Sequence, residues 1–279
     1  MKLQKAFDFT QSNLQDYLDC PYRFYLRYIR QIKWPALVVD EAAEFERRGQ
    51  AGARFHRLVQ QFLMGIPEVR ITKFASADPN PELSRWWENF LAAIPPRLTG
   101  ERWIETILSA PMGEHRLLAK YDLILVQDAG HVTIFDWKTS QNLPRKNWLL
   151  ERVQTKVYRF LLSQAGGSLV ESQTLDPSKI TMNYWFAAHP ENPISFPYDQ
   201  NSFAADQKYL SNLIRETIEA TESAYIKTQD RRRCRFCVYR SHCDRGTHAG
   251  DLADLEDFQF DGEDIETDLD FEEIGEIKF

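Results

Sequence analysis

The stretch YDLILVQDAGHVTIFDWK, residues 121–138, holds two apolar runs on either side of Asp128-Ala129-Gly130. Runs rich in β-branched and aromatic residues, separated by such a turn, spell a β-hairpin. Cross-strand partners in a hairpin are numbered symmetrically about the turn, so a turn centred on Ala129 sets Asp122 opposite Asp136. Lys138, two residues on, points to the same face as Asp136. Two carboxylates facing each other about 5 Å apart destabilise a sheet. Here Leu123 to Val126, Ile134 and Phe135 add apolar surroundings. A divalent cation such as Mg²⁺ relieves the repulsion, because it takes one or two carboxylates and keeps several waters for chemistry. Lys138 can then hold an anionic phosphate or orient a water beside the ion. The competing reading is a solvated hairpin with ordinary surface charges.

Working outward, Trp103 to Ser109 gives a strand before the hairpin arms Arg116 to Val126 and Val132 to Trp137. Ile180 to Ala188 gives a fourth. The helical period places helices at Glu41 to Met64, with Phe55, Leu58, Val59 and Phe62 as the apolar stripe, at Trp148 to Ser163, and at Ala204 to Tyr225. Gly166-Gly167 stops the second of these. An opening helix is capped by Thr10 or Ser12, and Leu14, Tyr17, Leu18 and Phe24 recur on one face of it. Pro21 interrupts it, so Cys20 falls at a bend or helix junction. Residues 65–100 are proline-rich around Trp86, Trp87 and Phe90 and read as irregular structure about one short helix. Helix, three strands, helix, strand implies an α/β fold with a mixed central sheet flanked by helices.

At 279 residues, 43% apolar, most of the chain can bury a core. No apolar run reaches the roughly 18 residues of a membrane span, and the first residues lack the apolar core of a secretory signal. A soluble, cytoplasmic protein with no membrane partner is the expectation. The net charge of −7 conceals two regions. Residues 251–279 carry 13 acidic side chains and one basic, whereas residues 1–250 carry 33 basic and 28 acidic ones. The mildly basic body suits an anionic partner. Residues 251–279 read as a separate, flexible acidic tail. Three roles for it stay open: solubilisation, mimicry of an anionic ligand over the basic body, or docking of a partner through its apolar tip.

Cys234, Cys237 and Cys243 form C-x2-C-x5-C, and Cys20 lies 214 positions before the first of them. The trio can offer three thiolates to one centre, with Cys20 as a fourth if the two ends of the fold meet. Four thiolates suit zinc or an iron–sulfur cluster, and spacing does not separate the two. Either would join the N- and C-terminal segments at a four-Cys metal site.

These features, in this order, resemble the RecB-like iron–sulfur branch of the PD-(D/E)XK nuclease superfamily, similar to the AddB nuclease domain and the CRISPR spacer-acquisition nucleases. Ser-x-Leu-x-x-Tyr-x-x-Cys-Pro-x-x-Phe, Ser12 to Phe24, resembles the family's opening motif. Gly52-Ala-Arg-Phe-His56 resembles its Gly-x-x-x-His. Tyr121-Asp122, Asp136-Trp137-Lys138-Thr139, and Gln154 with Tyr158 resemble the motifs that follow. Ala119 departs from the glycine often found before the first acid.

The resemblance implies a restriction-endonuclease-like core over residues 1–250. It also implies Mg²⁺ or Mn²⁺ held by His56, Asp122, Asp136 and the Trp137 carbonyl, with Lys138 activating water or stabilising phosphorane-like charge. Gln154 and Tyr158 would position the site or a DNA strand, although Tyr158 equally suits a helix–sheet interface and His56 a packed helix. Glu105 is a candidate auxiliary acid. For Cys20, Cys234, Cys237 and Cys243 the resemblance favours 4Fe–4S, with zinc less favoured.

The implied activity is a Mg/Mn-dependent deoxyribonuclease, an exonuclease on single strands or ends in DNA repair, recombination or CRISPR adaptation. No G-x-x-x-x-G-K-[ST] is present, so any motor would come from a separate helicase or from CRISPR-adaptation proteins. The alternative is a non-catalytic DNA-end-binding or scaffolding subunit of such a complex.

Overall fold

A computed structural model describes residue 3 and residues 6–33, 40–94, 97–235 and 237–246, leaving aside the side chains of 40–46. The acidic segment 251–279 lies outside the described residues.

The elements follow in the order β1 (Asp8–Phe9), α1 (Gln11–Asp19), α2 (Pro21–Phe24), α3 (Asp40–Leu63), α4 (Glu68–Ala77), α5 (Pro81–Ala93), β2 (Glu101–Met112), β3 (His115–Val126), β4 (Val132–Lys138), α6 (Lys146–Glu151), α7 (Val153–Ala165), β5 (Ile180–Phe186), β6 (Ile194–Pro197) and α8 (Gln200–Glu219). The six strands form one mixed sheet. β3 lies antiparallel to β2 along its whole length, parallel to β1 at its start and antiparallel to β4 at its end. β4 and β5 are parallel, and β6 closes the far edge antiparallel to β5. Helices cover both faces of the sheet. One core gathers Leu14, Tyr17, Phe24, Val157, Leu161, Leu210 and Ile214 from α1, α2, α7 and α8. The other gathers Phe55, Val59, Ile71, Trp86, Trp87 and Phe90 from α3, α4 and α5, with Trp137 and Trp185 from the strands.

Several local expectations change. Residues 65–100 hold two helices, not one short helix in irregular chain. Two of the prolines, Pro67 and Pro81, stand at helix starts, where a missing N–H costs nothing and the fixed φ helps. Pro67 precedes α4, and Pro81 opens α5 behind Asn80, whose side chain accepts the Glu82 N–H at 3.0 Å. Leu83, Trp86, Trp87 and Phe90 then fall on one buried face. The helix expected over Trp148 to Ser163 breaks at Arg152, which is extended (ψ 141°). The Thr155 hydroxyl donates to the Leu149 carbonyl at 2.5 Å, taking a place that a continuous helix gives to the backbone. α8 starts earlier than expected, at an Asp199 cap that accepts the Ser202 N–H at 2.7 Å, and ends by Glu219. The short strands β1 and β6 were not anticipated.

α7 and α8 are tied by a buried cluster. Arg159 Nη2 lies 3.0 Å from Asp206 Oδ2, Lys156 Nζ lies 3.7 Å from its other oxygen, and the guanidinium sits 4.6 Å from the Tyr198 ring centroid. Arg159 and Asp206 are both buried. Removing one partner strands the other charge, so Asp206→Ala should destabilise the fold by about 3–5 kcal/mol. Urea unfolding measures this, and a loss within about 0.5 kcal/mol would show the pair to be no more than a surface contact.

Candidate active site

The hairpin has the register implied by a turn centred on Ala129. Leu123 faces Phe135, Ile124 faces Ile134, Leu125 faces Thr133 and Val126 faces Val132. Ala129 (φ 59°) and Gly130 (φ 71°) make the turn, and the Gln127 N–H donates to the His131 carbonyl at 2.8 Å. The ladder then stops one pair short of the two acids. Beyond Phe135, β4 stays in register with β5, where Asp136 faces Tyr184, Trp137 faces Trp185 and Lys138 faces Phe186. The Trp137 N–H, which would continue the ladder to β3, is instead accepted by Asp122 Oδ2 at 2.9 Å. The two acids therefore meet across the Trp137 peptide rather than as a backbone pair, and each carboxylate has a side-chain nitrogen partner of its own, Lys138 for Asp136 and His56 for Asp122.

Asp136 and Lys138 are each only 2% exposed, so neither is a solvated surface charge. Lys138 Nζ lies 2.9 Å from Asp136 Oδ2 and donates to Gln154 Oε1 at 3.1 Å, while Gln154 Nε2 donates to Asp136 Oδ1 at 2.8 Å. One ion pair and two charge-assisted hydrogen bonds thus close a ring. Beneath it the Tyr184 ring centroid lies 5.3 Å from Lys138 Nζ. Gln154 stands in the first turn of α7, fixed there by the break at Arg152. Tyr158, one turn on, packs its ring on Tyr121 at 4.8 Å between centroids, and its carbonyl accepts the Tyr121 hydroxyl at 2.9 Å. It thus braces the strand that carries Asp122.

From the other face α3 brings His56, whose Nδ1 lies 3.3 Å from Asp122 Oδ1. Gly52 explains the approach. A Cβ there would sit 2.9 Å from Thr139 Oγ1, immediately after Lys138, so any larger residue would have to displace the Thr139 hydroxyl. His56 lies one turn further on, above Asp122. Burial by itself would raise the Asp122 carboxyl, but the His56 ring, the Trp137 N–H and Lys138 hold it below its ordinary value.

Glu105 completes the group. Ile104 faces Leu123 and Thr106 faces Tyr121, so Glu105 stands opposite Asp122. Its φ is 51°. Around this position both strands exchange faces: Trp103, Leu108, Ala110, Leu117, Ala119, Tyr121 and Ile124 serve one core, Ile104, Leu123 and Leu125 the other. This paired kink lifts Glu105 and Asp122 out of the regular alternation. Burial and the neighbouring Asp122 charge push the Glu105 carboxyl up, against the pull of Lys120 and His56. The Lys120 ammonium pairs with it directly. Lys120 and Tyr184 were not singled out in the sequence; the alternation that places Lys120 next to Glu105 across the strands was legible only once the kink was known.

Far along the chain, Cys20, Cys234, Cys237 and Cys243 line one cavity, together with Arg23, Lys227, Arg233, Arg240 and Arg245. Cys20 is the junction of α1 and α2, and its sulfur accepts the Thr228 N–H at 3.4 Å. The Tyr22 N–H donates to the Ile226 carbonyl at 3.2 Å and the Tyr239 hydroxyl to the Ile32 carbonyl at 2.9 Å, so the two regions are laced together. Burial raises the Cys234 and Cys237 thiols, and burial with the neighbouring thiols takes Cys243 to about 11.

Among the described residues, no three His, Cys, Asp or Glu side chains are gathered tightly enough to hold a metal ion as they stand. The donor chemistry nevertheless fits. Buried carboxylate oxygens with an imidazole suit a hard divalent ion, and four sulfurs around one cavity suit a thiolate-bound centre. No helix among the described residues is long and apolar enough to cross a membrane.

No curated protein is matched by the sequence. Solved structures with a similar course of chain include that of SSO0001, 12% identical over 85% of each chain at a TM-score of 0.37. Another is the "Putative exonuclease" of Eubacterium rectale, 8% identical over 79% of this chain and 87% of that one at a TM-score of 0.46. At that similarity neither adds to an assignment. The family model of the PD-(D/E)XK nuclease superfamily, by contrast, matches residues 8–244. That span contains the hairpin acids, Lys138, Gln154, His56 and all four cysteines, and the chain belongs to the PD-(D/E)XK nuclease superfamily.

Proposed function

We propose that the chain is a Mg²⁺- or Mn²⁺-dependent deoxyribonuclease that hydrolyses phosphodiester bonds at single strands or ends, as an exonuclease in DNA repair, recombination or CRISPR adaptation. The observation that carries this is the buried Asp136–Lys138–Gln154 ring, joined through the Trp137 peptide to Asp122 and His56. Burying a lysine and an acid at the end of a strand, beside a half-buried second acid, is costly for structure alone, and nucleases of this family usually use divalent metals.

His56, Asp122 and Asp136 would hold the ion, which when bound supplies a water of lowered pKa and neutralises phosphate charge. Lys138 reaches the same region and would steady the charge that develops on the phosphate. In a strand one residue's N–H and C=O point the same way. The Lys138 carbonyl accepts the Ala187 N–H on the β5 side, so the Trp137 carbonyl faces Asp122, as a ligand role requires. Gln154 orients Asp136 and Lys138. Tyr158 acts one step removed, by bracing Tyr121. Glu105, beside Asp122 and His56, would serve as an auxiliary acid.

Cys20, Cys234, Cys237 and Cys243 would hold a 4Fe–4S cluster with a folding role, zinc being the alternative. The five lining cations would offset the charge of four thiolates. A separate helicase or adaptation complex would be the working partner.

The test is degradation of end-labelled single-stranded and duplex DNA in Mn²⁺, Mg²⁺ and EDTA by wild type and Asp136→Asn. Metal-dependent cleavage, reduced at least about 100-fold in the variant, is expected. DNA binding with no cleavage by wild type would instead identify an end-binding or scaffolding subunit, and equal cleavage by both proteins would overturn the site.

A further inference from the structure

One aromatic and cationic feature next to the site is not absorbed by this chemistry. Trp148 on α6 is half-buried against the core. The Arg152 guanidinium carbon lies 4.9 Å from its ring centroid. Arg152 is the hinge between α6 and α7, two residues before Gln154, and two residues of chain span at most about 7 Å. Arg152 thus leaves the backbone within that reach of Gln154, whose amide touches Asp136 and Lys138, and carries Trp148 with it. Arg145 and Lys146 are exposed on the same short stretch, and Lys146 Nζ lies 5.4 Å from the Phe196 ring centroid. Glu151 is the one acid between residues 145 and 156.

Resting on the nuclease reading, we propose that Trp148 and Arg152 form a subsite for an unpaired nucleotide of single-stranded DNA, flanking the scissile phosphate. The indole and guanidinium planes offer stacking surface to a base. Arg145 and Lys146 meet the backbone phosphates on either side. Every base has a π-face, so such a platform tolerates any sequence, and stacking is worth about 1–3 kcal/mol per base. A base held inside a duplex has both faces occupied by its neighbours and gains nothing here. The subsite thus selects the strand state rather than the sequence.

The test is equilibrium binding in EDTA, which does not depend on cleavage. Fluorescein-labelled oligothymidine and a duplex of equal length, each about 20 nucleotides per strand, are titrated with wild type, Trp148→Leu, Trp148→Phe and Arg152→Gln. Trp148→Leu and Arg152→Gln should each weaken single-strand binding about 5- to 100-fold and leave duplex binding within about twofold. Trp148→Phe should restore most of the affinity. An oligonucleotide of abasic sites should bind wild type and Trp148→Leu alike. Equal losses on both DNA forms would reduce the feature to a packing contact, and unchanged single-strand affinity would remove the subsite. If wild type binds single strands through Trp148 but cleaves nothing, the nuclease reading fails and the subsite stands. If it cleaves while Trp148→Leu binds normally, the reverse holds.

Discussion

Lys138→Ala is expected to cut metal-dependent DNA cleavage by about 10²–10⁴-fold and, in the same sample, to lower the melting temperature. Both effects come from the same two contacts, to Asp136 at 2.9 Å and to Gln154 at 3.1 Å. At 2% exposure no water replaces the ammonium, so truncation leaves Asp136 as a buried charge without its cation. Breaking such a pair costs about 3–5 kcal/mol, less whatever Asp136 recovers by taking up a proton. Millimolar Mn²⁺ should then raise the variant's melting temperature more than wild type's, because a bound divalent ion supplies the missing positive charge beside Asp136. The activity should not follow. A lysine that only balances charge would give the opposite pattern, with cleavage returning as the fold is rescued. Wild-type cleavage by Lys138→Ala well below its melting temperature would remove Lys138 from the chemistry.

The site was legible where its chemistry is local. Asp136 and Lys138 share a face because strand side chains alternate, and the Asp128-Ala129-Gly130 turn fixes the register, so both follow from residues 121–138 alone. What sequence could not give is how the carboxylate conflict is relieved. It is eased by His56 from α3, across 66 positions, and by the Trp137 N–H, while the kink at Glu105, whose φ of 51° no local residue preference demands, brings a third acid beside Asp122. The unbroken apolar run Leu123 to Val126 was the visible trace of that kink, since both faces of the sheet are covered there and alternation is lost. The proline-rich composition of 65–100 points to irregular chain, yet Pro67 and Pro81 stand where helices begin. The break at Arg152 left no trace, because it depends on a Thr155 hydroxyl reaching back to Leu149. Yet that break places Gln154 at the head of α7 and leaves Trp148 and Arg152 beside it.

Cys20→Ser offers the second large effect, because this residue joins regions of chain more than 200 positions apart. Its sulfur shares a cavity with Cys234, Cys237 and Cys243, and around it the two regions meet through hydrogen bonds such as Thr228 N–H to Cys20 Sγ and Tyr22 N–H to the Ile226 carbonyl, the Asp19–Arg233 ion pair and the stacked Tyr25 and Tyr225 rings. A centre bound by all four sulfurs closes a loop of that length in the unfolded chain as well, which is worth on the order of 5 kcal/mol by loop entropy, before the metal–thiolate bonds are counted. Losing it should lower the melting temperature by at least about 10 °C, and expose Leu14, Tyr17 and Phe24 of α1 and α2 to protease ahead of the sheet. The anaerobically purified wild type should show broad visible iron–sulfur absorption, and Cys20→Ser, Cys234→Ser, Cys237→Ser and Cys243→Ser should each lose it. A colourless wild type that releases one zinc per chain would keep the four-sulfur clamp and change its metal. If Cys20→Ser alone keeps both colour and stability, the centre belongs to residues 234–243 only, and hydrogen bonds and packing alone hold the two regions together.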